Sequence, residues 1–181
     1  MRLAYLGSVH LLLIGPLAFG GRAAAQGPGS VARRAAADSC LAPSECQLGR
    51  VELHSDAVAA VSALAPPIRK TTRAGEDDGG RYEIQSYYSR GLSIDIVRGM
   101  IDRLTTRSPT TSTPSGLRPG LTFNAVQDVL AAKGVTLKQF ADTVDIGVCS
   151  TTEEIILEDY LTLIFDRQRR LQALALSVER P

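Results

Sequence analysis

The chain has 181 residues, 44% of them hydrophobic, 22% charged and 5% aromatic, with no Trp. It is too apolar and too evenly charged for wholesale disorder, and its length suits one ordinary domain or two very small ones. The 20 Lys and Arg against 19 Asp and Glu exclude the broad basic field of a nucleic-acid binder, and 2 His and 3 Cys leave little for a metal cage.

The first 25 residues follow the three-part plan of a secretory signal peptide. Met1 and Arg2 make a basic start, an apolar stretch runs from Leu3 to Phe19, and Ala23-Ala24-Ala25 offers small residues for cleavage. His10 and Pro16 interrupt the apolar stretch, which is shorter than the roughly 20 residues a spanning helix needs. A cleaved signal near Ala25 is therefore expected, with a periplasmic or secreted mature chain and no stable membrane insertion. Cleavage removes His10, leaving His54 as the single imidazole.

An exported chain can form disulfides. Cys40, Cys46 and Cys149 are an odd set, so at most one intramolecular bridge is expected. Cys40 and Cys46 enclose Leu-Ala-Pro-Ser-Glu, whose Pro favours a turn, and this local loop is the first candidate. Pairing of either with Cys149 is the alternative; it closes a much longer loop and stabilises more.

Residues 26–46 lack periodicity and read as a flexible leader. A first module spans 47–104. Ser55 or Asp56 caps a helix with the stripe Val58, Val61 and Leu64, stopped by Pro66-Pro67. A charged, glycine-rich loop covers 71–80. Strands follow at Arg81–Ser89, Leu92–Ile96 and Met100–Leu104. Residues 105–119, polar with three prolines, read as a linker. A second module spans 120–181. Thr122 caps a helix from Phe123 to Lys133 with the stripe Phe123, Val126, Val129 and Leu130, and Gly134 suits the left-handed position beyond its end. Thr136 is expected to cap another short helix carrying Leu137, Phe140, Ala141 and Val144. Tyr160–Phe165 and Leu171–Leu176 flank the polar turn Asp166–Arg170 as an antiparallel hairpin, and residues 146–157 hold a further strand.

Val61 and Val129, Gly49 and Gly120, and Ile96 and Phe165 recur at nearly constant spacing, which suggests duplication of one unit. The expected fold is α+β: two tandem helix-plus-antiparallel-sheet modules with their helices on one sheet face. Gly120-Leu121-Thr122, Val126 and Val129-Leu130, followed by strand, polar turn and strand, resemble the unit of the β-lactamase inhibitory protein-like superfamily. Outer-membrane β-barrel assembly lipoproteins of the SmpA/OmlA type share that unit. The resemblance covers about residues 47–104 and 117–178, and implies a secreted binding module with a concave sheet face. The chain departs from it in lacking a lipobox Cys and the inhibitor's tryptophans, in placing its cysteines differently, and in showing no second helix in the first copy.

No catalytic signature stands out. A Ser–His–acid triad would have to use His54, and no Gly-x-Ser-x-Gly surrounds any Ser. No phosphate-binding or dinucleotide glycine pattern occurs, so no cofactor is expected, and one His with three thiols is a poor metal set. Glu153-Glu154, Glu158-Asp159 and Glu76-Asp77-Asp78 read as solvated acids. Strand alternation sends Leu92, Ile94, Ile96, Leu161, Leu163 and Phe165 toward the helices. If Ile84 also points inward, the open face carries Tyr87, Ser93, Asp95, Tyr160, Thr162 and Ile164, a mixed polar and aromatic surface suited to a protein interface. The function expected from the sequence is a non-enzymatic inhibitor or immunity-type protein that binds another protein, an enzyme or toxin, through this face. A cell-envelope assembly or structural accessory protein is the alternative.

Overall fold

The computed structural model describes residues 34–36, 39–77, 79–148 and 159–178. The expected signal segment, Asp78, Cys149, Glu153, Glu154 and Glu158 lie outside the described residues. Ala32–Pro181 forms a single compact unit.

In chain order the elements are β1 (Arg34–Ala36), a 3₁₀ turn (Pro43–Glu45), β2 (Gln47–Leu48), β3 (Val51–Glu52), α1 (Ala57–Ser62), β4 (Arg69–Asp77), β5 (Gly80–Ser89), β6 (Leu92–Val97) and β7 (Met100–Thr106). Then come α2 (Phe123–Ala131), β8 (Thr143–Val148), β9 (Asp159–Phe165) and β10 (Leu171–Val178). Eight strands form one sheet in the order β1-β8-β9-β10-β7-β6-β5-β4, while β2 and β3 form a separate hairpin. β1 joins β8 in parallel; the other seven strands are antiparallel neighbours.

This corrects the expectation of two tandem α+β modules. The protein is mostly β, and β7 pairs directly with β10, Leu104 opposite Leu176 and Thr106 opposite Leu174. A three-stranded sheet under one helix buries a thin core. Joining the two antiparallel runs at β7 and β10 removes two exposed edges and lets one core run beneath both.

Both helices are short, and their caps are side chains of the expected type. Asp56 Oδ1 accepts the N–H of Ala59 at 2.8 Å at the start of α1, and Thr122 Oγ1 accepts that of Ala125 at 3.3 Å at the start of α2. α1 has 6 residues and α2 has 9. The expected stripe of α1 holds in part: Leu64, just past the helix, is buried and Val61 packs half-buried against the core, but Val58 is 74% exposed, and Ala57 and Ala60 face the core in its place. In α2, Phe123, Val126 and Leu130 are buried as expected. The helix expected after Thr136 does not form. Phe140 instead packs edge-on between Phe123 and Phe165, at 5.2 and 5.8 Å, and Val144 belongs to β8. These tertiary contacts override the local helical pattern.

Three segments expected to be irregular are built into the fold. Residues 71–80, read as a loop, contribute to β4, which pairs with β5 from Arg69 opposite Tyr88 to Asp77 opposite Gly80. The end of the supposed leader is fixed: Leu41 is fully buried and Glu45 is 1% exposed. The supposed linker begins inside β7, and beyond it Thr113 and Leu117 are buried while Ser112 C=O accepts the N–H of Gly49 at 2.9 Å. These residues wedge beside β2 and β3 rather than spacing two modules.

One buried cluster joins α1 and α2 to Ile94, Ile96, Ile101, Leu104, Leu161, Leu163 and Leu176 on one face of the sheet. Among the described residues, both helices lie on this face. Burying each such aliphatic side chain contributes about 1.5–3 kcal/mol.

Candidate functional site

The opposite face is built by strand alternation and register. Crossing the sheet, Thr162, Ala175, Thr105, Ser93 and Tyr88 stand in one row. Tyr160, Ser177, Arg103, Asp95 and Ser86 stand in the next. Five expected site residues, Ser93, Asp95, Tyr160, Thr162 and Ile164, therefore share this face. Asp95 pairs with Arg73 at 3.5 Å, and Thr162 Oγ1 donates to Asp145 Oδ1 at 2.7 Å.

Tyr87 is a correction. It lies opposite Ile94, on the helix side, half-buried against the core with Lys70 Nζ 5.2 Å over its ring. Its neighbour Tyr88 faces the other way, opposite Ser93, and is 43% exposed. Ile84 misleads because it is buried on the face away from the helices, opposite Val97. A concavity of about 460 Å³ opens at Tyr88, Ser93 and Thr105, with the exposed Arg90 and Arg107 in its lining. Arg69, at the edge beside Tyr88, adds a third cation.

A second constellation escaped the sequence reasoning. The backbone N–H of Leu53 donates to Cys46 C=O at 2.8 Å, so the β2–β3 hairpin brings His54 beside Cys46. Asp159, the first residue of β9, meets both. Its Oδ2 lies 2.6 Å from His54 Nε2 and accepts from Cys46 Sγ at 3.3 Å. The donor atoms of the three side chains lie within 4.8 Å of one another. Asp159, read as a solvated strand-edge acid, is in fact buried, and its Oδ1 has no hydrogen-bond partner. The His54 side chain is half-exposed and borders a cleft of about 360 Å³ with Leu53, Asp56, Met100 and Val178.

Burial pushes the Cys46 thiol up to about 12, and the Asp159 charge, its hydrogen bond, Glu52 and Glu45 push in the same direction. The thiol therefore stays protonated and donates. His54 reaches the carboxylate rather than the sulfur, so the group is not arranged as a nucleophile with its base. His54 and Asp159 are 105 residues apart, and no local pattern links them. The first-choice disulfide is also corrected: Cys40 is disulfide-bonded, whereas Cys46 is a free, buried thiol, so these two do not pair.

The acidic run at the end of β4 is engaged locally, Asp77 with Arg98 at 3.2 Å and Glu76 with Arg81 at 3.8 Å. Among the described residues no helix is long and apolar enough to cross a membrane. No family model, curated protein or solved structure matches the chain.

Proposed function

We propose that this is a secreted or periplasmic protein-binding module that acts without catalysis, as an inhibitor or immunity-type protein does. It docks an acidic segment of its partner on the sheet face away from the helices. The observation that carries the reading is the exposed Tyr88 in a concavity lined by Arg90 and Arg107, continuous with a row of short side chains. Short side chains let a partner backbone approach closely. A tyrosine offers a large contact area with few rotors, and the arginines favour a negatively charged partner. Export rests on the basic–apolar–small plan of residues 1–25.

Affinity capture from periplasmic extract with the mature chain, Tyr88→Ala and Arg90→Ala tests this. One specific partner, lost with both variants and weakened by salt, is expected. Equal recovery by all three forms would sink the docking face. Co-sedimentation of the chain with outer membrane would favour the envelope-assembly reading instead.

A further inference from the structure

We infer that Cys46, His54 and Asp159 form a binding site for one zinc-class divalent cation. The inference is independent of the docking face. Thiolate, imidazole and carboxylate are the ligand types of tetrahedral zinc, and three protein ligands with an open fourth position are a recurrent arrangement. Zinc–ligand distances of about 2.0–2.3 Å place tetrahedral ligand atoms about 3.3–3.5 Å apart. Cys46 Sγ and Asp159 Oδ2, at 3.3 Å, are within about 0.2 Å of the roughly 3.5 Å that a sulfur–oxygen pair needs. His54 Nε2, at 2.6 Å from the same oxygen, must withdraw by about 0.7 Å and, since the three ligand atoms spread over as much as 4.8 Å, must also settle about 3.5 Å from the sulfur. Its ring is half-exposed and borders the 360 Å³ cleft, so it has room to move.

Two further observations point to a cation. The second oxygen of Asp159 is buried without a hydrogen-bond partner, a costly state that a metal relieves by engaging the carboxylate. Glu45 and Glu52 add negative charge around the sulfur, where a cation is stabilised. On binding, the Cys46 thiol proton leaves to solvent, and His54 offers an unprotonated Nε2 to the ion while Nδ1 carries its proton.

The test uses the purified full mature chain with its disulfide intact, stripped by chelator and titrated with Co²⁺. One equivalent should bind, with a thiolate-to-cobalt charge-transfer band and the visible bands of tetrahedral Co²⁺, and Zn²⁺ should displace it. Cys46→Ser should abolish the charge-transfer band. His54→Ala should leave the far-ultraviolet circular dichroism unchanged and weaken binding at least about tenfold, since even partners of metal ligands contribute that much. Because His54 is half-exposed, this variant carries the test if Cys46→Ser does not fold. Absence of a stoichiometric Co²⁺ spectrum in the parent chain, or unchanged binding in the folded variants, would leave the three side chains a hydrogen-bonded group only and overturn the inference.

Discussion

Lys133 Nζ lies 3.3 Å from Oε1 of Glu45, a carboxylate whose side chain is 1% exposed. The geometry is not that of a hydrogen bond, so the contact acts through charge. The other oxygen, Oε2, accepts the backbone N–H of Ser115 at 3.1 Å. One side chain thus ties the segment before β2, the segment after β7 and the end of α2. Lys133→Met leaves the buried carboxylate with one partner fewer. Because the lysine is 44% exposed and solvent-screened, the expected loss is near the lower end of the range for such a change, about 1 kcal/mol. Glu45→Gln keeps an amide oxygen for Ser115 but sets its buried –NH2 against the Lys133 ammonium, donor against donor, and should cost at least as much. Urea midpoints read the order; a Lys133→Met chain as stable as its parent would show that the ion pair holds nothing.

Tyr87 and Tyr88 separate packing from recognition. Tyr87→Ala removes a ring packed against the core and beneath Lys70, so a loss of about 1–3 kcal/mol is expected. Tyr88→Ala trims an exposed side chain and should stay within about 0.5 kcal/mol of the parent while losing the partner. Thermal denaturation and the capture experiment together give the two readouts, and a reversed pattern would contradict the register described above.

Legibility follows burial pattern. β6, β9 and most of β7 were readable because one set of alternate residues is buried against helices, as in Leu161, Leu163 and Phe165. α2 was readable from Thr122 and its apolar stripe. β4 was not: Arg69–Asp77 is polar and largely exposed on both sides, so it carries no alternation, and only pairing to β5 makes it a strand. The facing of β5 was ambiguous because both of its faces bury something, Ile84 and Ser86 on one and Ser89 on the other. The Cys46–His54–Asp159 group was invisible for another reason. It depends on where β9 begins relative to a hairpin more than a hundred residues earlier, which no local period encodes.

Arg169 covers the aromatic cluster at the end of the sheet. Its guanidinium carbon lies 5.0 Å from the Phe123 ring centre and 4.6 Å from that of Phe140, and Phe123 meets Phe165 edge-on at 5.4 Å. The backbone of Arg169 has φ 59°, a conformation an L-residue adopts at some cost. Arg169→Ala keeps that cost and removes the cation, so a loss of about 1 kcal/mol is expected. Arg169→Gly also removes the cation but relieves the backbone, and should recover part of the loss. Denaturation midpoints should rank parent above Gly above Ala; Ala equal to the parent would show that the cation contributes no stability.

Cys46 gives the fold a defined alkaline weakness in the metal-free chain. The thiol is held up from 9.0 to about 12 in the folded state, burial being the main cause. Below pH 9 both folded and unfolded chains keep the proton, and the group contributes no pH dependence. Between pH 9 and about 12 the unfolded chain releases it while the folded chain retains it, so stability falls as pH rises, by at most about 1.4 kcal/mol per pH unit. Above that window the effect levels off. Other groups titrate there too, so the measurement is the difference between the parent and Cys46→Ala, both stripped by chelator. Between pH 8 and pH 10 the parent should lose about 1.3 kcal/mol more than the variant. Short incubations are needed, because the ionised thiol of the unfolded chain can attack the disulfide at Cys40. Parallel stability profiles for the two proteins would mean that Cys46 is not held as a buried, acid-flanked thiol, and that Asp159 does not accept its proton.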